Sequence, residues 1–348
     1  MRAALLYGKE DFRIQEVATP EIGENDLLLH VKSAFVCGTD VRMFKNGYQG
    51  ISEDSPVILG HEFSGLIAKV GKNVKGYSEG MAVAVAPNMG CGTCDRCVSG
   101  NTQLCKDYCA LGIHLNGGFA EYVRIPEAAV QQGNIAEIPS GMSFEEAAIV
   151  EPLSCVYNGF TKTHIGPGDT VLIIGAGPIG IMHAKLAKMA GAVKVFINDI
   201  SEDRLALCLK SDSFFTPVDA SIPLQDHIEE LTNGRGVDVC ITACPVPQVQ
   251  TMALELTAVN GRVLFFGGLP AERANVSLNT NLIHYKQLLV TGTTRSNLAQ
   301  FRTTIQLIAN GLIEVKDLIT SRSPIEGIQE TIENISKGIG LKSTIYFD

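Results

Sequence analysis

Residues 170–200 read TVLIIGAGPIGIMHAKLAKMAGAVKVFINDI, and this stretch decides the fold. Val171–Ile174 is an uninterrupted apolar run, as expected of a strand buried on both faces. A glycine turn follows. Apolar residues then recur at helical spacing from Ile179 to Met189, Gly191 closes the helix, and Val193–Ile197 supplies a second strand. Strand, turn, helix and strand make one unit of a parallel sheet. The runs Val237–Thr242, Gly261–Phe266 and Leu288–Thr291 continue it one helix apart. The expectation is α/β, a doubly wound Rossmann-type parallel sheet with helices on both faces.

The turn itself, Gly175-Ala176-Gly177-Pro178-Ile179-Gly180, is GxGxxG. Alone this pattern is weak. Here it follows a buried strand, opens a helix and has Asp199 about 20 positions on, the context of a dinucleotide site. Gly175 allows the tight turn, Gly177 lets a pyrophosphate approach the backbone, and Gly180 lets helix and strand pack closely. The helix N-terminus offers unpaired N–H groups and positive potential to phosphates. A carboxylate at Asp199 accepts hydrogen bonds from ribose hydroxyls and repels a 2′-phosphate, which favours NAD over NADP. Arg204 lies close enough in sequence to accommodate such a phosphate and pulls the other way.

Before this sheet the texture is different. Leu27–Val31, Phe63–Val70 and Met81–Val85 are short β-branched runs parted by glycine, proline and asparagine turns, the pattern of a small barrel or sandwich. Beyond Ser296 the chain turns helical and ends in TIYFD, which reads as a last strand. A chain of 348 residues with 45% hydrophobic and 19% charged residues has material for two domains. A net charge of −9 argues against a nucleic-acid-binding surface. No stretch approaches the ~20 apolar residues that span a bilayer. The N-terminus lacks the apolar core of a signal peptide, so a cytoplasmic location is expected.

In that compartment ten cysteines are core residues or metal ligands rather than disulfides. Cys155, Cys208, Cys240 and Cys244 stand alone in apolar contexts and read as core. Cys91, Cys94, Cys97 and Cys105 do not. Their C-x2-C-x2-C-x7-C spacing in a glycine-rich, polar segment suits a closed tetrahedral structural zinc, with an iron–sulfur cluster or unliganded thiols as the alternatives. Such a site stabilises a lobe and does no chemistry.

A second set lies around it: Cys37-Gly38-Thr39-Asp40, Gly60-His61-Glu62 and Glu151-Pro152. A thiolate, an imidazole and one or two carboxylates can hold a catalytic zinc with an open position. Taken singly each residue has an ordinary structural reading. Together, CGTD, GHEFSG, the four-cysteine lobe, VEP and GAGPIG in this order resemble the zinc-containing medium-chain alcohol dehydrogenase family over essentially the full chain. VEPLS and the FKNG that follows CGTD are similar to its polyol branch, the sorbitol and galactitol-1-phosphate dehydrogenases.

The resemblance implies a GroES-like β-rich catalytic domain over residues 1–152 and 293–348 and an NAD-binding Rossmann domain over 153–292. It implies two zincs per chain, one structural and one catalytic. Cys37, His61 and Glu151 then align with catalytic ligands, and Glu62 stands where a carboxylate can bind or leave the metal. It implies hydride transfer between a secondary alcohol of a polyol or polyol phosphate and NAD, with zinc as the Lewis acid and Thr39 as the first proton acceptor. Where many relatives carry a histidine to end that relay, this chain has Arg42, which cannot shuttle by titration. Arg42, Lys45 and Arg295 are candidate phosphate-binding cations. A small diol or other secondary alcohol is the alternative substrate. A catalytically silent NAD- and zinc-binding regulator and a zinc-free quinone-type reductase are the alternatives in other classes. The resemblance also implies a homodimer or homotetramer.

Overall fold

The computed structural model describes residues 1–218 and 221–347. They divide into two compact units, Met1–Ser154 with Ser296–Asp348, and Cys155–Arg295.

The first unit is β-rich. Among the described residues its main sheet runs Ile135–Glu137, Ala82–Val85, Glu62–Val70, Leu27–Phe35, Lys342–Tyr346, Ile319–Pro324, with Tyr122–Ile125 also paired to Leu27–Phe35. A three-stranded sheet of Asp11–Glu16, Arg2–Gly8 and Val57–Ile58 accompanies it. Leu6, Leu29, Val31, Phe63, Ile67, Phe119, Ile125 and Ile345 form one buried core, drawn from runs the sequence marks as β-branched and aromatic. The C-terminal run does form a strand, Lys342–Tyr346. Its last residue in the sequence, Asp348, lies outside the described residues.

Strand pairing in this unit gathers residues from distant parts of the chain. The central strand Leu27–Phe35 is flanked by antiparallel neighbours whose registers converge at its end. Phe35 pairs with Glu62 on one side and with Thr344 on the other. Two residues further on, the same register brings Lys342 level with Cys37. Cys37 then caps the helix Gly38–Asn46, and Asp40 at the third helical position accepts the Cys37 N–H at 2.8 Å. This is a capping box built on a thiol.

Among the described residues the second unit contains a six-stranded sheet whose pairs are all parallel. Its order is Phe215–Val218, Lys194–Asn198, Thr170–Ile174, Val237–Thr242, Thr257–Phe265, Leu289–Gly292. In chain order that is 3-2-1-4-5-6, the doubly wound arrangement of a dinucleotide fold. Leu172, Phe196, Val218, Cys240, Leu254 and Val263 pack one of its faces. Phe215–Val218 escapes the sequence reading because its TPV carries no clear apolar period. Cys208 and Cys240 are buried as expected, but Cys155 and Cys244 are only partly so. Burial pushes the Cys208 thiol up to about 12. Glu151 and Pro152 lie inside the 20-residue helix Phe144–Thr163, which tolerates the proline.

Candidate metal centres and dinucleotide site

Three donors meet at the converging strand ends. Cys37, His61 and Glu62 place one ligand atom each within 4.8 Å of one another. Glu62 heads its strand beside Phe35, and His61 immediately precedes it. Glu151, taken from the sequence as a ligand, lies outside this group. It is buried on the helix Phe144–Thr163.

The surroundings are charged and dry. Glu62 and Asp40 have no solvent exposure, and Lys342 is buried. Lys342 Nζ donates to Glu62 Oε2 and, at 3.3 Å, to the Val36 carbonyl, and lies 5.4 Å from the Phe35 ring centroid. The other carboxylate oxygen, Glu62 Oε1, is buried without a hydrogen-bond partner. Asp40 Oδ1 stands 3.4 Å from His61 Nδ1, and both atoms are likewise unsatisfied. Burial disfavours the imidazolium form of His61, yet the Asp40 carboxylate and the Cys37 thiol outweigh it and raise its pKa well above the ordinary value. Burial also disfavours charged Lys342, and Glu62, Cys37 and Asp40 again prevail.

This donor set fits a divalent cation. Metal binding takes Cys37 as thiolate and His61 as neutral imidazole, displacing their protons. In that state Cys37, Asp40 and Glu62 carry three negative charges against one positive charge on Lys342, and a divalent ion balances the difference. Orphaned acceptors beside sulfur and imidazole donors suit zinc in particular.

Neither Asp40 nor Lys342 was singled out from the sequence. Asp40 carried a legible signal, an acid three residues after a helix-capping cysteine. Lys342 carried none, because a lone lysine at the head of a strand has the same local pattern whether it faces solvent or a carboxylate.

Thr39 follows in the same helix and is half-buried. Arg42 is exposed, and its Nη2 donates to Thr39 Oγ1 at 3.4 Å. Lys45 is paired with Glu10 at 3.3 Å on the exposed face. Arg295 is exposed in the second unit. It adopts a left-handed backbone (φ 55°), and its carbonyl accepts from Asn158 Nδ2 at 2.8 Å.

The lobe brings all four of its thiols together. Sulfur separations are 3.5 Å for Cys94–Cys97, 3.7 Å for Cys94–Cys105 and 4.0 Å for Cys91–Cys97, with no disulfide. Four sulfurs at about 2.3 Å from a tetrahedral zinc would stand about 3.8 Å apart. The thiols are electrostatically unlike. Backbone N–H groups of Thr93 and Cys94 lower Cys91 to about 6, whereas burial drives Cys97 up to about 12. A cation amid them would favour the thiolate form throughout.

In the second unit the glycine turn has the expected geometry. Gly175 is left-handed (φ 118°), and a Cβ on Gly180 would lie 1.8 Å from the Gly175 carbonyl oxygen. Pro178 opens the helix Pro178–Met189 with Gly177 as its cap, and Ile179 follows in the first turn. A Cβ on Gly177 would meet nothing within 4 Å. The protein's own packing therefore leaves the approach to this helix end open, as a pyrophosphate requires. Asp199 is aimed at the same turn: Oδ2 accepts from Ala176 N at 2.7 Å and Oδ1 from Ser201 N at 2.9 Å. Arg204 sits in the first turn of the next helix, with its backbone N–H on Ser201 Oγ.

The architecture and donor sets define a zinc-binding oxidoreductase. The alcohol dehydrogenase GroES-like domain matches residues 23–140, and the zinc-binding dehydrogenase domain matches residues 178–310. The sorbitol dehydrogenase of Bacillus subtilis is 31% identical over 96% of this chain and 93% of its own length. The L-threonine 3-dehydrogenase of Bacillus licheniformis is 34% identical over 95% and 94%. Among solved structures, a zinc-binding dehydrogenase of Sinorhizobium meliloti bound to NADP shares 29% identity, with TM-score 0.90 and 99% of each chain covered. Galactitol-1-phosphate dehydrogenase of Escherichia coli shares 26%, with TM-score 0.86 and both chains fully covered. The chain belongs to the zinc-binding dehydrogenases with an alcohol dehydrogenase GroES-like domain, in the polyol-dehydrogenase-like part of that family. It is an enzyme. Among the described residues no helix is long and apolar enough to cross a membrane.

Proposed function

We propose that this enzyme oxidises a secondary alcohol of a polyol or polyol phosphate to the ketose or ketose phosphate, with NAD as hydride acceptor. The observation that carries the reading is the group of Cys37, His61 and Glu62, whose ligand atoms lie within 4.8 Å of one another. Zinc held by these residues would supply Lewis-acid polarisation of the substrate hydroxyl, with a bound NAD as the hydride acceptor. Glu62 is the carboxylate ligand, with Oε1 free and Oε2 tied to Lys342. Asp40 steadies the ligands twice, through the Cys37 N–H and beside the His61 ring.

Thr39 Oγ1 accepts the substrate's proton and hands its own to solvent. Arg42 donates to that oxygen and keeps its proton throughout, so it orients the hydroxyl without joining the relay. Asp199 holds the adenosine ribose and disfavours a 2′-phosphate. The NADP-bound relative makes this a point for direct measurement.

Arg42 is the cation best placed for a substrate phosphate, because it is exposed one helical turn from Thr39. Lys45 is already engaged by Glu10, and Arg295 is the second candidate. Initial rates of NADH formation with sorbitol, galactitol and their 1-phosphates decide the class. A preference for the phosphates that falls in Arg42→Ala supports phosphate recognition. Equal kcat/KM for both forms, unchanged in Arg42→Ala and Arg295→Ala, refutes it. The 34% identity to a threonine dehydrogenase supports an amino alcohol as the second reading, so L-threonine and small diols belong in the same panel.

A further inference from the structure

The neck of the cysteine lobe is held by residues outside the thiol set. Residues 86–90 lead into Cys91, and residues 108–110 lead away from Cys105. The two legs pair through Asn88–Met89 and Cys109–Ala110, and Tyr108 OH donates to Asn88 Oδ1 at 2.7 Å.

The end of the helix Glu127–Gln132 and the two residues after it grip the first leg. Gln132 faces Gly90 with both ends of its amide: Nε2 donates to the Gly90 carbonyl at 2.8 Å, and Gly90 N donates to Oε1 at 3.1 Å. Buried Asn134 donates its Nδ2 to the carbonyls of Ala86 and Asn88, each at 2.7 Å, and its own carbonyl accepts from Ala86 N at 2.8 Å. Gly133 between them is anchored in turn, its carbonyl accepting from Arg302 Nη2 at 2.7 Å.

Gly90 is where this clamp meets the sulfurs. A Cβ there would lie 2.4 Å from Cys97 Sγ and 3.1 Å from Cys105 Cβ. The peptide that Gln132 holds at both polar groups is thus packed against the two buried cysteines of the four. Without the amide, a glycine peptide regains the widest backbone freedom of any residue.

We infer that Gln132 is a positioning residue of the lobe's metal centre, fixing Gly90 so that Cys97 and Cys105 stay poised to grip the ion and release it slowly. The inference rests on the four thiols being zinc ligands. Hydrogen bonds one layer out from a metal typically govern affinity by about 10- to 100-fold.

The test uses the purified, zinc-loaded full chain, its metal content measured by elemental analysis. Zinc release to excess 4-(2-pyridylazo)resorcinol is followed by absorbance, and the lobe's phase is assigned by its loss in Cys91→Ser. Gln132→Ala should release the lobe zinc about 10- to 100-fold faster. Gln132→Glu keeps the acceptor and loses the donor, so it should fall between. The exposed neighbour variant Gln131→Ala should match the parent. Circular dichroism and the urea midpoint should stay unchanged, which separates lost positioning from general loosening. A lobe phase with the same rate in Gln132→Ala and in the parent overturns the inference, and Gln132→Glu decides the matter should the alanine variant misfold. If the parent shows no lobe phase and Cys91→Ser keeps the full metal content, the four-thiol reading itself fails.

Discussion

Lys342→Met removes the cation that touches Glu62 while keeping an unbranched side chain of similar length. In the zinc-free protein, Glu62 and Asp40 would then remain buried without it. Breaking a buried ion pair by removing one partner costs about 3–5 kcal/mol, because the survivor stays desolvated and uncompensated. At about 2–4 °C per kcal/mol for a unit of about 200 residues, the melting midpoint of the zinc-free protein should fall by roughly 6–20 °C. Zinc brings back positive charge at the same place, so the deficit should shrink in the loaded enzyme. Lys342→Arg should lose less than the methionine variant, and Glu62→Gln combined with Lys342→Met should recover part of the loss, since the two residues are coupled. The pH dependence has a definite sign. The folded lysine's pKa is raised, so on the alkaline side the pair's contribution holds up to about pH 10 and fades as pH rises through the folded value. Scanning calorimetry of chelated and zinc-loaded protein reads all of this. A chelated Lys342→Met protein that melts within about 2 °C of the parent would refute the charge argument, as would a deficit that zinc does not reduce.

Three further outcomes are expected. Cys91→Ser should lower the metal content from two zincs to one per chain by elemental analysis, with the remaining ion still removable by chelation. Asp199→Asn should raise KM for NAD and bring NADP closer to it in kcat/KM, because the repelling charge is gone while the side chain can still accept from Ala176 N; unchanged cofactor preference would count against Asp199 as the ribose residue. Asp238 ties together two strand starts of the second unit, accepting from Thr170 N and Oγ1 and forking with Arg235. Although burial opposes this, Arg235 and Thr170 bring its carboxyl down to about 2, so its stabilising effect is present above about pH 4 and is lost as pH falls toward 2. The gap in urea midpoint between Asp238→Asn and the parent should therefore be flat from neutrality to about pH 5 and close below it.

The second unit was legible from its sequence, because its evidence is local. A buried strand, a glycine turn and a helix are neighbours along the chain, and Gly180 is needed because it must lie against Gly175 five residues earlier. The lobe was legible for the same reason: 15 consecutive residues carry all four thiols, and spacing alone brings them within reach. Cys37, His61 and Glu62 were legible as a set only through their resemblance to a family, since nothing local ties a cysteine to a histidine 24 positions away.

Two strand registers made that set into a site. The pairing of Phe35 with Glu62 set this carboxylate beside Cys37, and the pairing of Phe35 with Thr344 carried Lys342 across 305 positions to Cys37. Gln132 reaches Gly90 in the same way, over 42 positions. A sequence expresses contacts that lie within a turn or two of chain as pattern, because backbone geometry fixes those distances. Contacts made by strands and helices that meet only in the packed core leave no pattern, and the gathering of Cys37, His61, Glu62 and Lys342 depends on those contacts alone.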